Sequence, residues 1–165
     1  MLILNASGGV GSYAVGLSKA HGATVIGCCS GRSAAYVESL GADNIIDYTL
    51  DSSISEQAAA LNTTIDLVLD CIGGDSPGQA AIALKDGGKL VSIAGGNGAA
   101  LAEKNQVGIG FLVQPNKEQL EEIATLCDNE KIKPVALTEH SFNEIVTAHQ
   151  ASESGRTHGK NVLIF

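Results

Sequence analysis

Short runs of apolar and β-branched residues recur along this chain at Leu2–Leu4, Thr24–Cys29, Asn44–Tyr48, Ile65–Cys71, Leu90–Ala94 and Val107–Val113. Runs of this length with few polar interruptions mark strands covered on both faces rather than alternating surface strands. Between them lie stretches with helical character: residues 12–20, Ser33 to Leu40 closed by Gly41 in the C′ position, Ser52 to Leu61, and Pro77 to Leu84. Asp86 to Lys89 carries two glycines and reads as a turn. Strand and helix alternating in this way predict an α/β fold. The expected form is a Rossmann-type doubly wound parallel sheet with helices on both faces and strand order 3-2-1-4-5-6, as right-handed crossovers dictate.

The last third has a different texture. Asn116 and Gln119 read as an N-cap and its capping-box partner, followed by an apolar face of Leu120, Ile123, Ala124 and Cys127. Pro134 breaks the chain before Val135–Leu137, and Ser141 with Glu144 opens a further helix. Phe142, Ile145, Val146 and His149 share one face of it, which makes His149 a core residue rather than a ligand. Gly155 ends that helix, and residues 159–165 close the chain as a strand. The expected division is a cofactor-binding domain over residues 1–113 and a helix and strand extension over residues 114–165.

The chemistry concentrates where the first run meets the first helix. Asn5-Ala-Ser-Gly-Gly-Val-Gly11 puts small residues at the three places of a GxGxxG turn, with Ala6 standing for the first glycine. Gly8 lets backbone approach a phosphate, Gly11 lets the helix pack close to the strand, and the amides at the helix head face an anion. A dinucleotide site is the expectation, a purely structural glycine turn the alternative. Ser7, Gly8, Gly9, Val10 and Gly11 are its first candidate residues. Only Met1 precedes the first run, so the chain is expected either to be a minimal module or to lack residues upstream.

Composition narrows the partners. The 165 residues, 44% of them hydrophobic, suffice for one well-packed core. A net charge of −8 disfavours nucleic acid and anionic membranes, and no apolar run reaches the length of a span. Cys28, Cys29, Cys71 and Cys127 lack C-x-x-C spacing, and the four histidines form no ligand pair, so reduced buried thiols and no metal are expected. A signal peptide is not apparent, and an intracellular, cytoplasmic protein is expected.

Cofactor choice is written after the second strand. NAD-specific sites place an acid there to hold the ribose hydroxyls, whereas this chain has Cys29-Ser-Gly-Arg32. A small hydroxyl at Ser30 and the Arg32 guanidinium suit a 2′-phosphate, and NADP (as NADPH) is the expected cofactor. Arg32 as a solvated loop charge is the alternative. Cys71, Ile72 and Gly73, past the fourth strand, and Ala94 and Gly95, past the fifth, stand where open α/β sheets bind ligands, although plain turns fit there too. Gly96–Gly98 continue the second of these turns.

The glycine turn, Leu40-Gly-Ala-Asp43 with Ile46-Asp-Tyr48, Asp66–Asp70 with Gly73-Gly74, Gly87–Val91 and the terminal Gly159-Lys-Asn-Val-Leu163 occur together and in order. In this the whole chain resembles the medium-chain dehydrogenase/reductase superfamily, within it the zinc-independent quinone oxidoreductases related to zeta-crystallin. The resemblance implies the NADPH-binding part of an oxidoreductase that passes hydride to a quinone, enone or carbonyl substrate. It also implies that Tyr48, with Ser30 and Arg32, contacts the 2′-phosphate and that Lys160 reaches cofactor phosphate or ribose. A half-buried strand end at Tyr48 and an exposed charge at Lys160 are the structural alternatives. The family's GroES-like domain, which supplies most of the substrate pocket, has no counterpart here, so this chain alone is expected to be inactive. Two other readings stay open: the cofactor domain of a zinc-type alcohol dehydrogenase, and a standalone NADP-binding or sensor module. The unblunted Val107–Val113 run is expected to be an exposed edge that pairs with a second copy to make a homodimer.

Overall fold

The structure is a computed structural model that describes residues 1–95, 105–110 and 112–165. Six strands form one parallel sheet: β1 (Leu2–Leu4), β2 (Ile26–Cys29), β3 (Asn44–Asp47), β4 (Ile65–Asp70), β5 (Leu84–Ser92) and β6 (Val107–Gly110). Their order is β3-β2-β1-β4-β5-β6, as expected. Leu2 of β1 faces Ile26 on one side and Val68 on the other, so β1 lies at the centre, where the crossover direction reverses.

Side-chain alternation divides the core in two. Leu2 and Leu4 point to the face covered by α3 (Ile54–Ala60) and α4 (Ser76–Ile82), packing with Ile26, Ile46, Ile54, Val68 and Ala80. Ile3 points the other way, to Val15 of α1 (Gly11–Ala20) and Val37 of α2 (Ala34–Ser39). Helices therefore cover both faces. Helix α3 starts where Ser53 and Glu56 close a reciprocal capping box, and α2 ends at Gly41, whose φ of +111° satisfies the C′ requirement.

Several expected boundaries move by one or two residues, and β5 and β6 change more. The expected turn at Asp86–Lys89 is a bulge inside β5: Leu84 pairs with Ile65 and Lys89 with Leu67, leaving residues 85–88 outside the ladder. Gly87, at φ +68°, supplies the left-handed residue for the bulge as it would have for a turn, which is why the two look alike in sequence. The sixth strand stops at Gly110, and Leu112 and Val113 lie outside it, strongly exposed. Gly96–Gly98 fall outside the described residues.

The C-terminal third forms α5 (Lys117–Asp128), β7 (Leu137–Ser141), α6 (Ile145–Glu153) and β8 (Lys160–Ile164), with β7 and β8 paired in parallel as a separate two-stranded sheet. The polar run Leu-Thr-Glu-His-Ser of β7 carries no strand pattern of its own and is ordered by pairing with β8. Asn116 caps α5 by accepting from the Gln119 amide. The apolar face expected on α6 is inverted: Ala148 is the buried residue, while His149, Ile145 and Val146 are exposed. His149 is thus a surface residue, because the small alanine beside it takes the inward position.

Candidate cofactor site

The β1–α1 turn is built for close approach. Asn5 takes the left-handed conformation at φ 56°, and its carbonyl accepts from the Gly8 amide at 3.0 Å. A side chain at Gly11 would collide with the Asn5 carbonyl and come within 2.8 Å of the Ala6 Cα, so only glycine allows α1 to seat against the strand. Ser12 Oγ donates to the Gly8 carbonyl at 2.8 Å and fixes the turn from inside. No side chain caps α1, and its first turn carries no acid, which leaves the positive helix end uncompensated, with Val10 exposed beside it.

The other end of the chain completes this turn. The Gly159 amide donates to the Ser7 carbonyl at 3.0 Å, and the Lys160 amide to the Ala136 carbonyl at 3.0 Å. Lys160 is thereby laid over Gly9, where an added Cβ would meet its Cε and Nζ at 2.5 Å. Gly8, Gly9, Lys160, Asn5 and Thr157 line one small cleft. A cation held on a glycine turn at a helix head is the donor set that a pyrophosphate requires.

A larger cleft of about 710 Å³ adjoins it at the carboxyl ends of β1 to β4. Ser7, Ser30, Arg32, Tyr48 and Ile72 line it, so five of the predicted residues converge on one space. Ser30 is buried and bonded to Ser33, while Tyr48 is half exposed and free to cover a ligand. Arg156 and Thr157 also line this cleft and are absent from the residues that the sequence singles out. Their one signal is a basic residue between Gly155 and Gly159, close to Lys160.

Acids enter the cleft as well. Asp51 and Glu56 line it, and Asp47 at the end of β3 lies against the backbone of Gly31. The Thr49 hydroxyl, with the Thr49 and Gly31 amides, holds the Asp47 carboxyl below its usual range against the opposing effect of partial burial. Glu56 is engaged by the Ser53 amide and hydroxyl. An acid is absent after β2, as the sequence indicates, but neighbouring elements bring carboxylates to the same region.

The remaining candidates form a third group past β4 and β5. The buried Asp70 carboxylate accepts from the Ile72 and Gly73 amides at 3.0 and 2.8 Å and from Ser92 Oγ at 2.6 Å, which locks the two strand ends together. Gly73, at φ +76°, lies beside Ala94, with Gly95 next in the chain. Burial, reinforced by the Asp70 charge, pushes the Cys71 thiol up to about 11, so it is a neutral thiol rather than a nucleophile. Cys71, Gly73, Ala94 and Gly95 do not line the 710 Å³ cleft, which only Ile72 of this group reaches.

Residues 40–163 match the family profile described as zinc-binding dehydrogenase. The chain belongs to the medium-chain dehydrogenase/reductase superfamily. Within it the chain is quinone oxidoreductase-like, and it comprises the cofactor-binding portion. It is 32% identical to the mitochondrial NAD(P)H oxidoreductase RTN4IP1 of Danio rerio across 99% of its own length and 48% of the relative's. Among solved structures, the quinone oxidoreductase of Coxiella burnetii superposes with a TM-score of 0.85 at 33% identity, covering 98% of this chain and 51% of that one. The quinone oxidoreductase of Thermus thermophilus, solved also with NADPH, gives 0.80 at 27%, covering 99% and 56%. The chain thus spans about half the length of the relatives it matches.

Despite the zinc in the family description, no group of three His, Cys, Asp or Glu side chains able to hold a metal gathers among the described residues. These residues therefore do not fit a resident zinc ion. Nor is any helix among them long and apolar enough to cross a membrane.

Proposed function

We propose that this chain is the NADPH-binding part of an oxidoreductase that reduces a quinone or an enone or carbonyl compound. The observation that carries this reading is Lys160 lying over Gly9, brought there by the Gly159 to Ser7 hydrogen bond. In this reading the glycine turn, the α1 amides and Lys160 hold the pyrophosphate. Ser30, Arg32 and Tyr48 surround the adenosine 2′-phosphate, and Ile72, Gly73, Ala94 and Gly95 pass the nicotinamide end along the strand tips. NADPH supplies the hydride when bound, and the chain's own residues bind and orient it while Tyr48 and Ile72 exclude water. The substrate face belongs to residues beyond this chain's cofactor half. The NADPH-bound relative supports the cofactor, and the quinone oxidoreductase relatives support the substrate class.

Titration of NADPH and NADH at fixed salt tests the cofactor. Charge-assisted hydrogen bonds contribute roughly 1.5 to 3 kcal/mol each, so NADPH is expected to bind about tenfold or more tightly than NADH, and Arg32→Ala to erase most of that gap. Lys160→Ala is expected to weaken both cofactors alike, because the pyrophosphate is common to them. Equal affinities in the wild type would reject NADPH selectivity.

The β6 edge supports a second part of the same reading. Val107 and Ile109 are exposed on an outer strand that carries no charge or proline, and pairing with a second copy would continue the sheet across a two-fold axis. A monomer in sedimentation at high concentration would overturn it.

A further inference from the structure

The half-buried His158 stands at a junction that the cofactor reading does not use. Its Nε2 lies 2.8 Å from Ser33 Oγ, a contact between residues 125 positions apart, and Ser33 Oγ is 3.1 Å from Ser30 Oγ. Its ring stacks on Tyr36 with centroids 5.0 Å apart and planes 7° from parallel. The Tyr36 hydroxyl donates to Ser12 Oγ at 3.2 Å and accepts from the Ala136 amide at 3.1 Å. Ser12 in turn donates to the Gly8 carbonyl.

One imidazole therefore ties three parts of the cofactor region. Through Ser33 it reaches the turn that carries Ser30 and Arg32, and through Tyr36 and Ser12 it reaches the glycine turn. Its chain neighbours are Arg156, Thr157 and Lys160, which face the two clefts. His158 itself lines neither cleft, so it would act on a ligand only through the residues it holds. Side chains that lock others in place determine the precision of a site more than its gross affinity for the fold.

We infer that His158 is a positioning residue for cofactor discrimination: it fixes the 156–160 segment against the Ser30–Ser33 turn, so that the 2′-phosphate end is preformed. The inference rests on the proposed function. Its loss should therefore fall on NADPH, whose extra phosphate meets this turn, more than on NADH.

The test is a double-mutant cycle in the full-length protein with His158→Ala, Ser33→Ala and both together, titrated with NADPH and NADH. Each single variant is expected to weaken NADPH about tenfold, the scale of one lost hydrogen bond with its packing, and NADH by less than about twofold. The double variant should lose no more than the worse single one, since both cut the same link. His158→Gln, which keeps a hydrogen-bonding group near the Nε2 position, should recover part of the NADPH preference. Equal losses for the two nucleotides, or additive losses in the cycle, would overturn the discrimination role. Amide hydrogen exchange without ligand provides the independent arm: His158→Ala should speed exchange in both 156–160 and 30–34. Unchanged exchange in both segments would overturn the clamp itself. Faster exchange in a protein whose wild type binds neither nucleotide would instead overturn the proposed cofactor, and the discrimination role with it, while the clamp stood.

Discussion

Ile3 of β1 is fully buried, whereas Leu137 and Ile164, from the parallel pair β7 and β8, are 60% and 50% exposed. Both β1 with β2 and β7 with β8 satisfy their backbone in the same ladder geometry. They differ in what covers them. β1 has helices on both faces and a strand on either side, while the β7–β8 pair is flanked by α6 and leaves Leu137, Ile164 and the stacked Phe142 and Phe165 rings largely open. Hydrogen bonding alone therefore fixes the form of a strand pair but not its share of the stability, which follows the apolar area removed from water.

The largest effect should separate these pairs directly. Ile3→Ala is expected to cost about 2 to 5 kcal/mol in urea unfolding, as for buried aliphatic truncations elsewhere, and Leu137→Ala to stay within about 0.5 kcal/mol. Similar costs at the two positions would show that β7 and β8 are covered in solution. Gly11→Ala comes next, at about 1 to 3 kcal/mol for a Cβ forced against backbone that cannot swing aside. Gly155→Ala in the C-terminal part meets no neighbour, and only its φ of +63° opposes the change, so its cost should be smaller.

The smallest effect concerns the surface of the better-covered part. Lys19 holds Asp43 at 2.8 Å, and Asp43 also accepts from the Val25 amide. The Lys19 hydrogen bond, then the Val25 amide, lower the Asp43 carboxyl below its ordinary value. A carboxyl depressed in the folded state contributes stability that is complete above the unfolded value of about 3.9 and is lost as pH falls through that value toward the folded one. Both side chains are about a third exposed, so solvent screening keeps the contribution below about 1 kcal/mol. The difference in Tm between wild type and Lys19→Met should shrink as pH drops below that range; a constant difference would exclude the pair as its source.

What the sequence makes legible follows the same division. The central strands β1 and β2 are the most readable, because residues buried on both faces must be apolar throughout, and the order of the sheet agrees with right-handed crossovers. β7 is not readable, because Thr138, Glu139 and His140 satisfy no burial requirement and its strand form comes from β8. The bulge in β5 passes for a turn because Gly87 serves both with the same left-handed backbone. At the candidate site, local motifs mark the glycine turn and Arg32 as candidates, and the family resemblance marks Lys160. His158 and Asp47 stay hidden because their significance lies in partners that only the folded chain brings near, Ser33 and Tyr36 for the first and Gly31 for the second.

The hydrogen bond from Gly159 to Ser7 also sets an order in time. During synthesis the glycine turn emerges on the order of ten seconds before Gly159 and Lys160, at roughly 5 to 20 residues per second. Over that interval the turn exists without the cation that lies across it and without the strand that seats it. A nascent chain can form β1 and α1 early, yet the proposed anion cradle can be complete only in molecules translated through Lys160, so phosphate binding there would report that translation had run through that point.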